Sequence, residues 1–588
     1  MRRISLLLTI TRKKIYSIYF LVAVFSMIIF QMSFSSNDDN EVRAILDGTR
    51  FGQPDFHIPW ISPLITYPIS NLYEIAPGFY WYEFFLYALC IISHLLVLQI
   101  LIKISSQSSK VFQFLLFMSI FVLQFKSLNS ISYTNTSITV LGTSIALMLT
   151  FLQEKRRIHF RNFAMFFLIF ILFGIGFALR PYTSIGVLLF LFPAIFYCFV
   201  SRFQISQITF ATVPLILIIW IITFVDKMTY AVSGWKEWRN FTNLYRWPGD
   251  YNLFSNTING SFPSMSHSEL NLWLSANHID PSQFTSKFFS ALIDVNVEFD
   301  LMLFIQSSIS VSRHYGLYLL IALCLSLTLK PNSRNTHYRL VLSKIFKQTM
   351  RSNIAIIQCL YGICFMFLLA LYTKFVDRVF IGLILSLIII IVVIEPENCK
   401  FSKRTLKLDL LTGITLVALS LIVFQTIDKH PSFGKILGGN QDLNTYQKAE
   451  VAALGYISQL PQCADNNLLA NHCVLFLHTN SYPPFELAPE TNIRELYLFW
   501  SAFSPKWMEV VKSTGAGDSL DLLCSNKGFL LNSRESVGFV ASYIKEKRND
   551  TLNSISLSSL FPKTDPDFEK IYLTLGTSKR GCPQNFPY

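Results

Sequence analysis

The sequence is governed by a succession of apolar runs, each long enough to cross about 30 Å of hydrocarbon. They fall at residues 15–34, 79–102, 111–125, 136–152, 163–179, 184–200, 208–225, 314–329, 354–372, 379–394 and 410–427. Each such run must satisfy its own backbone polar groups, which in lipid only a helix or a closed barrel does. The expected fold class is therefore an all-α polytopic membrane protein with about eleven spans. Composition agrees, since 52% of the 588 residues are hydrophobic and 14% charged, with mean hydropathy +0.43. The opening segment MRRISLLLTITRKK and the run after it resemble a signal peptide. The run is too long for that and lacks a small-residue cleavage site, so a retained helix is expected.

A net charge of +13 would suit nucleic acid, but the Lys and Arg residues cluster in short segments between the runs, where they set orientation. No nucleic-acid partner is expected. One side takes Arg2, Arg3, Arg12, Lys13 and Lys14; Lys103 and Lys110; Lys155, Arg156, Arg157 and Arg161; Arg202; six from Lys330 to Arg351; and four from Lys400 to Lys407. This alternation puts residues 35–78, 226–300 and everything after 427 on the extracytoplasmic side. The expectation is a multi-pass protein of the plasma (inner) membrane, with a transmembrane part at 1–427 and an exported soluble α/β domain at 428–588.

In that exported part a helical pattern covers 442–460, a strand-like VLFLH starts at Val474, and a helix is expected to open at Thr491. A strand GFLLN from Gly528, a helix over 533–547 and a late strand IYLTL follow. Cys463, Cys473, Cys524 and Cys582 share this oxidising side, so two disulfides are expected, with Cys463 to Cys473 foremost among three connectivities. Cys90, Cys198, Cys324, Cys359 and Cys364 lie within runs as packing residues, as does His94. Neither CxxC nor HExxH occurs, so spacing carries no zinc signature.

The chemistry concentrates between Ser35 and Leu64, SSNDDNEVRAILDGTRFGQPDFHIPWISPL. Asp38 and Asp39 stand at the outer end of the first run, where a carboxylate is partly desolvated yet still reaches solvent. Such a pair can deprotonate an acceptor hydroxyl or hold a cation against a leaving phosphate. The aromatic and proline residues from Phe51 to Tyr82 suit short helices lying at headgroup level. Trp235, Trp238, Arg239 and Trp247 in WKEWRNFTNLYRWPGDY suit either sugar stacking or another interfacial helix.

An acidic pair soon after the first span, then a glycine, then a His-Pro element leading into an apolar segment, resembles the first outer loop of the glycosyltransferase-C superfamily. Protein O-mannosyltransferases and lipid A aminoarabinose transferases belong to it, and their loop carries an acidic pair and a later HPPL-like element. Here the pair is Asp38 and Asp39, and the later element reads His57-Ile58-Pro59-Trp60-Ile61-Ser62-Pro63-Leu64, its prolines separated from the histidine. The resemblance implies a polyprenyl-phosphate-type sugar donor, transfer to a glycan, lipid or protein acceptor at the outer face, and a divalent cation such as Mg or Mn at Asp38 and Asp39. Asp38 or Asp39 would be the catalytic base or metal ligand, and Glu41 and His57 substrate-binding residues. Burying the leaving phosphate requires cations, and the outward-facing ones are Arg180, Arg313, Lys374 and Arg378. A surface-polysaccharide polymerase or ligase, and a lipid-linked sugar transporter or flippase, are the alternatives.

Overall fold

The structure is a computed structural model. It describes residues 19, 33–34, 37–105, 110–153, 160–201, 205–250, 342–372, 377–394, 442–463, 473–477, 493–498, 500–561 and 566–577, with short pieces between 268 and 326. The chain is mostly helical, with candidate membrane spans and a small sheet.

Two residues before the acidic segment, β1 (Ser33–Phe34), pair in parallel with β2 (Ser130–Ile131). This fixes α1 (Asn37–Leu46) beside the start of α5 (Tyr133–Gln153). Helix α2 (Pro63–Ile75) starts where Ser62 accepts from the Leu64 N–H and Pro63 occupies the first turn, where its missing donor costs nothing. Helices α3 (Trp81–Ser105) and α4 (Lys110–Asn129) follow. After α5 come α6 (Phe160–Leu179), α7 (Pro181–Phe190), α8 (Phe192–Ser201), α9 (Ile205–Thr229) and α10 (Trp235–Asp250), then α11 (Leu342–Tyr372) and α12 (Asp377–Ile394).

Among the described residues three helices are long and apolar enough to cross a membrane: 81–104 of α3, α5, and 206–229 of α9. A fourth is added if α6 and α7, which bend by 119° at Arg180, count as one broken span. The expected run 184–200 is divided at Leu191 between α7 and α8. Of the expected runs, 410–427 lies outside the described residues, 15–34 is represented by Tyr19 and Ser33–Phe34, and 314–329 by scattered positions.

Burial separates core from periphery. Helix α5 is 89% buried and packs against α3, α6 and α12, whereas the more apolar α9 is only 11% buried. The hydroxyls of α5 are absorbed by backbone carbonyls, Ser137 donating to Gly176 O at 2.7 Å and Ser144 to Ile169 O at 2.8 Å. Trp220, Ile216 and Val213 of α9 stand exposed, the pattern of a helix facing hydrocarbon.

The C-terminal part forms a five-stranded sheet in the order β4-β3-β5-β7-β6. Its strands are β3 (Val474–Leu477), β4 (Arg494–Tyr497), β5 (Gly528–Ser533), β6 (Leu552–Ser556) and β7 (Ile571–Thr577). β3 pairs in parallel with both neighbours, while β7 is antiparallel to β5 and β6. One face carries Leu475, Leu477, Phe529 and Leu573 against Ala449, Ala453 and Ile457 of α13 (Asp442–Ser458). The other carries Phe476, Leu496 and Leu530 against Trp507 of α14 (Pro505–Ser513), Leu520 of α15 (Ser519–Leu523) and Val540 of α16 (Arg534–Arg548). Both faces are covered, which is why β3 is buried at every position.

The helix expected to open at Thr491 is corrected to strand β4. Ile493 and Leu496 are buried beside β3, so parallel pairing overrides the helical preference of Arg-Glu-Leu. β6 was not expected, while β3, β5, β7, α13 and α16 lie where the apolar pattern places them. The Cys463–Cys473 disulfide is present. Cys324 and Cys582 lie outside the described residues.

Candidate functional site

The acidic helix α1 is held from two directions. Asp39 is fully buried, and its Oδ1 accepts from the Tyr82 hydroxyl at 3.0 Å and from the Tyr133 backbone N–H at 2.9 Å. Asp38 is half-buried, and its Oδ1 accepts from the Trp500 indole N–H at 3.2 Å. Glu41, fully buried, accepts from Ser501 Oγ at 2.5 Å and from Arg50 Nε and Nη2 at 3.0 and 2.7 Å. Asp39 is thus corrected from a solvent-reaching group to a buried one, because Tyr82 of α3 and the start of α5 close over it; Glu41 is likewise buried, under Arg50 and the turn after β4.

Arg50 also donates to the Glu495 carbonyl at 2.8 Å, tying the loop to β4. Nearby, Gly52 sits at φ +79°, and a Cβ there would stand 2.7 Å from the Arg494 guanidinium, so the loop tip presses directly on that strand. Burial pushes the Glu41 and Glu495 carboxyls above the ordinary carboxylate range, with Arg50 opposing the shift. Burial works against the Arg50 charge in turn, but Glu41 and Glu495 beside it outweigh the loss and hold its guanidinium above the ordinary value.

Arg180 occupies the 119° break between α6 and α7, where Pro181 cannot supply an N–H to continue the helix. It is 9% exposed, and Nη1 donates to Tyr133 Oη and Thr134 Oγ1, both at 2.6 Å. Its guanidinium carbon lies 5.0 Å from the Tyr133 ring centroid. Tyr133 therefore touches both predicted charges, its backbone N–H on Asp39 and its hydroxyl on Arg180. Two residues before Arg180, the Ala178 carbonyl accepts from the Ser62 N–H at 2.8 Å, which docks the segment before α2 on the end of α6.

Below this point an apolar groove of about 380 Å³ runs between α2, α6 and α9, with Leu64, Ile65, Gly174, Ala178, Ile218 and Ile222 among its walls. Leu64, Phe167, Ile171 and Ile221 in its lining are themselves exposed, so the groove opens sideways.

His57 lies on the other flank of the loop. Its ring stacks on Trp235 at 3.7 Å and on Phe56 at 4.1 Å, and Asp55 Oδ1 stands 2.6 Å from Nδ1. Trp238 donates its indole N–H to the Ala502 carbonyl at 3.1 Å, and Arg239 pairs with Asp226. Trp235 and Trp238 of α10 are thus held in packing contacts. The side chain of Trp247 lies outside the described residues, as do Arg313, Lys374 and the side chain of Arg378, which is in the first turn of α12.

Sequence reasoning missed Tyr82, Tyr133, Trp500, Ser501 and Arg50. Only Asp55, two residues before His57, carried a local signal. Among the described residues no group of three or more His, Cys, Asp or Glu side chains is placed to hold a metal ion. Asp38 and Asp39 each have one oxygen taken by N–H or O–H donors, which an ion would have to share. Comparisons with protein-family models, curated proteins and solved structures find no match to this chain.

Proposed function

We propose that the chain is a polytopic membrane glycosyltransferase of the inverting type, moving a sugar from a polyprenyl-phosphate-type donor to a glycan, lipid or protein acceptor on the extracytoplasmic face. The reading includes the eleven-span topology, the exported C-terminal domain and a role in cell-envelope glycan assembly. One observation carries it: a sideways-open apolar groove ends within two residues of a mostly buried arginine, and that arginine shares Tyr133 with a buried carboxylate.

A prenyl chain has the width and polarity of such a groove, and its phosphate then meets Arg180 at the helix break. Charge-assisted N–H to phosphate bonds in a water-poor site offset the desolvation of that anion. Asp38, the half-buried member of the pair, faces the positive charge that grows on the sugar ring as the glycosidic bond breaks. Asp39 holds Tyr133, and through it the position of Arg180. The same groove suits a lipid-linked sugar flippase, which moves its cargo and forms no new glycoside.

The test uses the full chain in proteoliposomes with lipid-linked sugars extracted from the expressing cell, following release of prenyl phosphate with and without a chelator. Arg180→Ala should slow release by about 10²–10³-fold, and Gly174→Leu, which fills the groove beside Ile218, should raise the donor KM more than it lowers kcat. Full activity in Asp38→Asn, Asp39→Asn and Arg180→Ala alike, or transport with no glycoside formed, refutes the reading.

A further inference from the structure

Resting on that reading, we infer that the imidazole of His57 removes the proton from the acceptor hydroxyl, with Asp55 as its positioning residue. Asp55 Oδ1 accepts from the His57 backbone N–H at 3.1 Å and lies 2.6 Å from Nδ1. A carboxylate in that place takes the Nδ1–H and leaves the lone pair on Nε2, the arrangement by which an acid residue sets the tautomer of a basic histidine. Asp55 is 4% exposed and its Oδ2 has no hydrogen-bond partner, so no other donor among the described residues competes for it.

The ring has no freedom to turn. Trp235 covers one face with planes 11° apart, Phe56 stacks on it at 27°, and Tyr230 meets it edge-on at 5.8 Å. Thr66 fixes the Phe56 carbonyl at 2.6 Å. The side chain keeps 15% of its surface accessible, and Nε2 has no partner among the described residues. The ionisable groups around it are Asp55, the buried Tyr230, and beyond Tyr230 the Asp226–Arg239 pair, whose guanidinium lies 4.5 Å from the Tyr230 ring. A histidine clamped, oriented and still open at one nitrogen is built for proton transfer more than for packing; His94, fully buried with Tyr19 on Nδ1, is the packing version.

Location supports the assignment. Ile222 lines the groove, and Tyr230 follows it by eight residues, about 12 Å of helical rise. Thr66, which holds the Phe56 carbonyl, directly follows Ile65 of the groove wall, so His57 is carried by two elements that continue from the lining of the groove. The acidic pair is less suited to the same task, since Asp39 is sealed with two donors on Oδ1 and Asp38 holds an indole N–H.

In the step, the acceptor oxygen attacks the anomeric carbon as its proton passes to Nε2. The bond from that carbon to the phosphate oxygen breaks, with its electron pair leaving on the phosphate. The imidazolium then returns its proton to water.

Two measurements on the full chain decide the matter. Diethyl pyrocarbonate should carbethoxylate His57 and spare His94, and Asp55→Asn should slow the His57 reaction. With extracted lipid-linked sugars as donor, His57→Gln should lower kcat by about 10²-fold or more with little change in donor KM, and His57→Gly should regain activity with added imidazole. Circular dichroism and gel filtration screen each variant for folding; where the His57 variants fail that screen, the kcat of Asp55→Asn decides. Wild-type kcat in His57→Gln, a folded His57→Gly that imidazole does not restore, or a folded Asp55→Asn with full kcat overturns the inference and leaves the transferase reading standing. A wild-type chain that forms no glycoside overturns both.

Discussion

Two charged clusters involve the segment 37–64, and they are built to opposite specifications. Around Arg50, both Glu41 and the guanidinium are fully buried, each donor and acceptor named above is satisfied, and the partners come from β4 and the turn after it. In the second, Arg180 is mostly buried, Asp38 is half-buried and the His57 side chain is 15% exposed; Tyr133, Trp500 and Asp55 fix their orientation, and Arg180 lies two residues from an apolar groove. The first cluster has spent its charge on joining two parts of the chain. The second has spent only enough to aim its side chains, which is what a binding or reacting site requires.

That contrast fails or sharpens under substitution. Arg50→Met should leave Glu41 and Glu495 buried without a cation and cost about 3–5 kcal/mol, read as a lowered unfolding midpoint in detergent. If the midpoint holds, the knot is not structural. Arg180→Ala should keep the midpoint near wild type and reduce kcat by about 10²–10³-fold, the usual effect of losing a preorganised charge at a leaving group. Removing the disulfide with Cys463→Ser and Cys473→Ser should cost about 2–3 kcal/mol through a sequence separation of 10, with turnover unchanged.

The smallest effect is on pH dependence. The folded Glu41 and Glu495 carboxyls are raised above 4.5, so their contribution is complete below that value and is lost as pH rises through the raised values. Glu495→Gln, which keeps the carbonyl that Arg50 uses, should flatten this decline in a melting series across pH. An unchanged slope means that Glu495 does not titrate with folding.

The helices were legible because burial in lipid and burial in a core both demand apolar runs, and a break at Arg180-Pro181 is written in the proline. β4 was not legible: RELY has the residues of a helix, and what makes it a strand is an edge of β3 twenty residues earlier. The acidic segment was visible as a type, but its contacts were not, because Tyr133, which holds Asp39, lies 94 positions away, and Trp500 and Ser501, which hold Asp38 and Glu41, lie more than 450 away. Asp55 and His57 were readable together as carboxylate and imidazole two apart; the aromatic clamp from α10 was not.

The link from Arg50 to Glu495 spans 445 residues. At about 5–20 residues per second of synthesis, Arg50 waits on the order of half a minute for its partner strand to emerge. During that interval Arg50 has Glu41 but lacks the Glu495 carbonyl that completes its contacts. Premature termination between α12 and β4 therefore leaves the helices up to Ile394 complete and Arg50 without the strand it is tied to.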